Sequence, residues 1–457
     1  MLDSLHQAGF KAFLVGGGVR DLLLELNPKD FDVATDALPD EVKTVFGRNC
    51  RLIGRRFRLA HVRFGRETVE VATFRGTSNV DEDESVDTGA DTESDETPAS
   101  KTTSKATGKT PGKKKSEDKS DGEKVMVNGS GRIVRDNVYG NLEQDAWRRD
   151  FTVNCLYYNI EDSSLVDYTG GLKDLQDRKL RMIGDPLVRY REDPVRMLRA
   201  LRFAAKLNFS LERESEIAID TCADLLHDIP PARLYDETLK LFMTGHGLSS
   251  YEQMQRYRLF EYICPETAAC IDDLEDESGM VARFVKQALT NTDERIQTGK
   301  AVNPAFLFAA LLWEPVRRDS LAIEAQGLST VQAIDSAGVD VLTRQIEQVA
   351  LPRRFSLVAR EIWGMQPRLL NPQGRKAEEL FAKPRFRAAY DFLLLRGQSG
   401  EKVGGMGQWW TKFIDATAEE REKLLEQHSK PAGGNNKKRR KRRRRSRPRQ
   451  RQQTQPV

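Results

Sequence analysis

The sequence predicts an α+β fold: a head built on a mixed sheet, an all-helical neck and body behind it, one low-complexity insertion and a basic tail. Three observations carry this. Up to about residue 184, short apolar runs alternate with short amphipathic ones. From Asp185 onward, apolar residues recur at helical spacing with few strand signals. Two segments, 77–131 and the residues after about 430, lack the apolar content that folding requires. A chain of 457 residues exceeds what one ordinary core holds. We therefore expect a head over 1–184, a neck over 185–250, a body over 251–430 and a tail over 431–457.

In the head, Lys11 to Val15 reads as a strand, Val19 to Leu26 as a short helix, Asp30 to Ala34 as a strand and Pro39 to Val45 as a helix. "RLAHVRF" and "ETVEVATF" alternate apolar with polar residues, the pattern of half-buried antiparallel strands. "FTVNCLYYNI" and "LVDYT" supply two more. Between these pairs lies "DEDESVDTGADTESDE" followed by a Lys/Ser/Thr block, with neither period 2 nor period 3.6, and disorder is expected over 77–131. Beyond Asp185, "DPVRMLRALRFAAKL", "RLYDETLKLFM" and "NPAFLFAALLW" are helical patterns. The longest uncharged apolar stretch, Ala301 to Trp313, is too short to span a bilayer. With Asp3, His6 and Lys11 near its start the chain does not open as a signal peptide, so a soluble cytoplasmic protein is expected. The five cysteines form no C-x-x-C pair and read as small buried side chains in a reducing compartment. The net charge is +4, yet 12 Lys or Arg and no acid lie between Lys437 and Arg451. Everything before that tail is net acidic, and the cations form one arm suited to nonspecific RNA capture.

"LVGGGVRD" is not a dinucleotide fingerprint, because Asp21 stands where the third glycine belongs. Gly108, Lys109 and Thr110 match the end of a Walker loop, but Thr103 replaces its first glycine. What remains is a strand, a glycine turn and a helix with Arg20 in its first turn. That combination can hold a triphosphate through backbone N–H groups, the helix end and a guanidinium. Asp30 and Asp32 follow at once; on a strand they would share one face, with Phe31 and Val33 buried on the other. Two neighbouring carboxylates repel unless a cation lies between them, and Mg²⁺ held jointly by carboxylates and substrate phosphates is the expected occupant. A third acid completes such a site. Glu70, between Val69 and Val71, and Asp150, in "RRDFTVN", both qualify; Asp150 is favoured for its neighbours Arg148 and Arg149. In "YREDPVRMLRALRFAAKL", Asp193 reads as an N-cap and Pro194 as the first helical residue. Arg196, Arg199 and Arg202 share one face of that helix; an Asp and an Arg three residues apart also make a donor and acceptor template for a purine edge. In "RLYDETLK", Arg233, Glu237 and Lys240 read as salt-bridged along one face.

Taken together, "LVGGGVRDLLL", Asp30-x-Asp32, "RRDFTVN" and "EDPVRMLRALRFAAKL" resemble the class II nucleotidyltransferases, which comprise bacterial poly(A) polymerases and CCA-adding tRNA enzymes. "CRLIGRRFRLAHVRFG", "AVNPAFLFAALLW", "RFRAAYDFLLLR" and the arginine-rich end are similar to the poly(A) polymerase branch. The resemblance covers most of the chain except 77–131. It implies a polymerase β-like head that adds AMP from ATP to RNA 3′ ends with two Mg²⁺ ions, releasing pyrophosphate. It assigns metal binding to Asp30 and Asp32, with Asp150 or Glu70 as the third acid. Triphosphate contacts fall on Gly17 and Arg20, ribose and phosphate contacts on Arg148, Arg149 and Asp150. Base contacts fall on Asp193 and Arg196, with Arg199 close to the nucleotide. RNA 3′ ends, ATP and RNA-degradation proteins are the expected partners, and a monomer the expected state. The other outcomes are a CCA-adding enzyme or an RNA-binding protein without catalysis. Relatives carry more helix ahead of "LDSLHQAGF", and the insertion is longer than the resemblance implies.

Overall fold

Alternation along the head strands does what it predicts, sending adjacent residues to opposite sides of one sheet. In this computed structural model, which describes residues 1–54, 58–76, 126–127, 133–135, 138–273 and 279–429, nine strands lie among the described residues before position 170. They are β1 (Ala12–Val15), β2 (Asp32–Thr35), β3 (Cys50–Ile53), β4 (Leu59–Phe64), β5 (Glu67–Thr73), β6 (Met126–Val127), β7 (Ile133–Arg135), β8 (Leu156–Tyr158) and β9 (Leu165–Asp167). Seven of them form a mixed sheet in the order β3-β4-β5-β2-β1-β8-β9, while β6 and β7 pair apart from it. Within the large sheet β2 and β5 run parallel and the other neighbours antiparallel. Val33 and Val71 face a core shared with Leu5, Val42 and Val62. Their neighbour Ala34 faces the opposite one, with Val15, Phe74, Ala146 and Tyr157.

Helices α1 (Leu2–Gln7), α2 (Gly17–Leu23), α3 (Pro39–Phe46), α4 (Leu142–Arg148) and α5 (Gly171–Gln176) accompany the sheet. Several expectations need correction. The first predicted helix ends at Leu23 rather than Leu26, and Glu25 takes a left-handed conformation with φ 58°. The predicted strand from Asp30 begins only at Asp32, so strand alternation does not govern Asp30 and Phe31. In "FTVNCLYYNI", residues Thr152–Asn154 form a 3-10 turn and only Leu156–Tyr158 is strand. Strand β3 and helix α4 were not anticipated. Disorder over 77–131 does not hold at Met126–Val127, which pairs with Ile133–Arg135. The rest of that insertion and the tail at 431–457 lie outside the described residues.

The helical part follows as expected: α6 (Pro186–Glu192), α7 (Val195–Leu207), α8 (Arg213–Cys222), α9 (Pro231–Phe242), α10 (Gly247–Arg256), then further helices from Pro265–Ile271 to Ala418–Ser429. One small exception is the parallel pair β10 (Lys179–Leu180) and β11 (Ser210–Leu211), which ties the end of the head to the first helices. Leu198 and Leu201 of α7 are wholly buried, in a core that runs without a break from Phe151 to Leu395. A second core, Met365 to Phe413, finishes the chain's last described third. Asn303 caps "PAFLFAAL" by accepting from Ala305 N at 2.9 Å. All five cysteines are buried and unpaired. Among the described residues no helix is long and apolar enough to cross a membrane.

Candidate active site

The three glycines have separate reasons. Gly16 sits at φ 78°, which disfavours a side chain. A Cβ there would lie 3.9 Å from Asp32 Oδ2 and from Arg149 Nη1, so the turn faces both groups. Gly17 opens α2. Gly18 is crossed by the next loop: a Cβ on it would come within 3.2 Å of the Asp30 carbonyl and of the Phe31 ring. Arg20 is almost wholly buried, at 1% exposure. It donates from Nε and Nη2 to Asp21 Oδ1 at 2.8 and 2.5 Å and from Nη1 to Asn154 Oδ1 at 2.5 Å. Lys206 closes on the other oxygen of Asp21 at 3.1 Å. The Arg20 guanidinium is thus committed to Asp21 and Asn154 and buried, not open to a triphosphate as the sequence led us to expect, and Lys206 ties this pair to α7.

Parallel register aligns Asp32 of β2 with Glu70 of β5, so both carboxylates emerge on the same face of the sheet. Burial, then Glu70 and Asp30, push the Asp32 carboxyl above its ordinary pKa, with Arg149 opposing. Asp32 remains open to solvent on one side, yet it is desolvated from behind and pressed by two like charges. That setting of neighbouring carboxylates favours a cation. Among the described residues no three acidic, histidine or cysteine side chains converge closely enough to hold an ion alone; substrate oxygens would have to complete its shell. Glu70 also approaches His61 Nε2 at 3.6 Å.

Asp150 stands in a different setting. It pairs with Arg199, and Oδ1 accepts from Phe151 N at 2.9 Å. Burial alone would raise its pKa, but Arg199 and Arg196 outweigh that and hold it below the ordinary value. Arg149, directly before it, donates to Asp145 Oδ2 from Nε and Nη2 at 3.1 and 3.0 Å and to the Tyr157 hydroxyl at 2.8 Å. That hydroxyl donates in turn to Asp145 at 2.7 Å. Burial works against the charge on Arg149, but Asp145 and Tyr157 prevail and raise its pKa. Arg148 reaches the Gly76 carbonyl at 2.6 Å; burial, then Arg75 and Arg189, lower its pKa to about 10.

Helices α6 and α7 extend this positive wall. Glu192 Oε2 accepts from Arg189 Nη1 and from Arg196 Nη1, both at 2.8 Å. Arg189 also donates to the carbonyls of Arg148 and Arg149 at 2.7 and 2.6 Å. The N-cap of α7 is Pro194 rather than Asp193, and the helix starts at Val195, one residue later than expected; Asp193 Oδ1 accepts from Val195 N at 3.3 Å. Its other oxygen is held by Arg233 of α9 at 2.6 Å. Arg233 thus pairs with Asp193 instead of the expected Glu237, and Glu237 pairs with Lys240 at 2.8 Å. The Nε atoms of Arg189, Arg199 and Arg202 are buried without a hydrogen-bond partner. The structure thus gathers Gly17, Asp30, Asp32, Glu70 and Arg149 around the glycine turn and links Arg148, Asp150, Asp193, Arg196 and Arg199 behind it. Sequence reading missed Asp145, Asn154, Tyr157, Arg189 and Glu192. The readable signal was Asn141, which accepts from Gln144 N at 2.9 Å while Gln144 answers Asn141 N at 2.9 Å. This capping box starts the helix that carries Asp145.

Three family models match the chain: the poly A polymerase head domain over 12–181, the probable RNA- and SrmB-binding site of polymerase A over 208–271 and the polymerase A arginine-rich C-terminus over 326–447. Poly(A) polymerase I of Salmonella typhi is 43% identical over 436 residues, 94% of this chain and 85% of that one. A CCA-adding enzyme of Lactobacillus helveticus is 31% identical over 252 residues, 55% of this chain and 51% of the other. The crystal structure of the Bacillus stearothermophilus CCA-adding enzyme in complex with CTP superposes with a TM-score of 0.52 at 22% identity, covering 95% of this chain and 87% of that one. At that identity the likeness is one of fold.

Proposed function

Because this chain belongs to the bacterial poly(A) polymerase family of nucleotidyltransferases, we propose that it adds AMP from ATP to RNA 3′ ends without a template, and that its products feed RNA turnover. The observation that supports this most is the register of Asp32 beside Glu70 directly in front of the Gly16 turn. In the reaction an RNA 3′-hydroxyl oxygen bonds to the α-phosphorus of ATP in line, the bond to the bridging α–β oxygen breaks, pyrophosphate leaves and the hydroxyl proton passes to solvent.

Asp30 and Asp32 would hold Mg²⁺, with two ions expected, and Glu70 is the better third acid because Asp150 is committed to Arg199. Bound there, the metal would lower the pKa of the attacking hydroxyl and neutralise charge on the phosphates. The chain's own groups orient the nucleotide. Backbone N–H groups at Gly17 and the positive end of α2 receive the triphosphate, with Arg20 fixing the turn's shape. Arg149, pinned by Asp145 and Tyr157, faces the same space. Asp193 and Arg196 present an acceptor and a donor to the base, each held by a neighbour; Arg148, Asp150 and Arg199 form the wall behind the ribose and phosphates. The units 1–184, 185–250, 251–430 and 431–457 are proposed as divisions of labour, since one apolar core crosses the two boundaries inside the described residues. The enzyme would act in the cytoplasm as a monomer and deliver tailed RNA to degradation proteins.

Incubation with ATP or CTP on a generic RNA and on a tRNA lacking its 3′ end tests the reading. Long A tracts on both substrates are expected. Addition of three nucleotides to the tRNA alone would identify a CCA-adding enzyme, and absence of product an RNA-binding protein.

A further inference from the structure

Phe31 lies between the two candidate metal ligands, where strand alternation would bury it, yet 40% of it is exposed. The reason is local: the chain reaches Asp30 and Phe31 before β2 begins, and the loop crosses the first turn of α2. There the inner edge of the ring lies so close to Gly18 that a Cβ would stand 3.2 Å from Cδ1. A scattered exposed apolar residue needs no explanation. This one is an aromatic ring held on one edge against Gly18 and exposed elsewhere, between the two carboxylates proposed to meet the RNA end.

Cations lie nearby. Lys29 directly precedes Asp30 in the chain. Lys206 is joined to Asp21 of α2. A strand of RNA leaving the carboxylates along this side would meet positive charge on its phosphates and an aromatic face under its last base, the pairing by which proteins hold single strands without reading sequence.

We propose that Phe31 stacks on the 3′-terminal base of the RNA primer, with Lys29 and Lys206 on the adjacent phosphates. This deepens the polymerase reading and rests on it. Stacking on any base suits an enzyme whose primer ends in A after its first turnover but in any nucleotide before it.

The test compares full-length enzyme carrying Phe31→Ala, Phe31→Leu or Phe31→Trp, using an A-ended RNA oligonucleotide. The KM for RNA is measured from A-addition, and ATP affinity by equilibrium dialysis without RNA. Stacking contributes about 5- to 150-fold in affinity per base, so Phe31→Ala and Phe31→Leu should raise the RNA KM at least about fivefold while ATP affinity holds. Phe31→Trp should restore the RNA KM; rescue by an aromatic but not by leucine separates stacking from packing on Gly18. An unchanged RNA KM in Phe31→Ala, an equal loss of ATP affinity, or rescue by leucine would overturn the proposal and leave the polymerase reading standing. If the unaltered enzyme adds no A, the polymerase reading fails, and this inference with it.

Discussion

Asp32 shows how far one carboxylate can be at odds with its fold. Its folded pKa lies above the ordinary value of 3.8, so the folded state binds its proton more readily than the unfolded chain does. Stability from this group is greatest below that range and declines as pH rises through the raised folded pKa, where the ionised oxygen faces Glu70 and Asp30. Asp32→Asn should therefore match or exceed the unaltered protein in Tm at pH 7–8 while abolishing A-addition. The difference in Tm should shrink as pH falls toward the ordinary Asp value. A variant that melts earlier at pH 8 would mean that Asp32 is structural. Glu70 and Asp150 separate by the same reasoning. Glu70→Gln should keep the fold and lower kcat roughly 10²-fold or more, the scale of preorganised charge effects. Asp150→Asn leaves Arg199 without its carboxylate and should cost about 1–2 kcal/mol of stability, discounted because Arg199 is 37% exposed. Urea denaturation beside steady-state rates distinguishes them. The Asp-x-Asp spacing singled out the two carboxylates as candidates but misplaced Phe31, because alternation holds only inside a strand. The proposed preference for Glu70 over Asp150 draws on the register of β2 on β5, which no single strand encodes.

Among the elements, α4 is the one whose absence from the sequence reading mattered most. Its seven residues, "LEQDAWR", show one weak apolar stripe, and they follow an insertion that hides where the head resumes. Yet Asn141 and Gln144 form the capping box that fixes its start, and from there Asp145 holds Arg149 and, through its other oxygen, the Arg75 backbone at 3.2 Å. Asn141→Ala removes one acceptor for a helix N-terminus, a loss of about 1 kcal/mol. Because α4 ends at Arg148, the loss should also reach Arg149, and the KM for ATP should rise together with a modest fall in Tm. A falling Tm with the KM unmoved would show that the arginines are held by Asp145 and Tyr157 alone. By contrast, α7 was legible almost to the residue, since its apolar period of 3.6 persists through 13 residues. Long periodic helices announce themselves, and short helices defined by their caps do not.

Across the whole molecule, the sequence placed the change from sheet to helix correctly near Asp185, but not the continuity of packing across it: residues from Phe151 to Leu395 share one core, a long-range fact that periodicity does not contain. That continuity bears on how RNA is held. The residues from Phe151 to Leu395 that pack on one core would offer fixed contacts for the last nucleotides, whereas the 12 cations between Lys437 and Arg451 would add contacts to phosphates by charge alone. If about six of them do so, log K should fall against log salt with a slope near −4, or about 10²- to 10³-fold between 50 and 200 mM. Deleting 437–457 should flatten that slope in filter-binding titrations and leave ATP affinity as it was. The shortened enzyme should still extend RNA at low salt, where fixed contacts suffice, and lose ground to the full chain on long RNA. A slope unaltered by the deletion would assign the counterion release to the arginines of the folded part, and RNA capture would then depend on the same packed surface that is proposed to bind ATP.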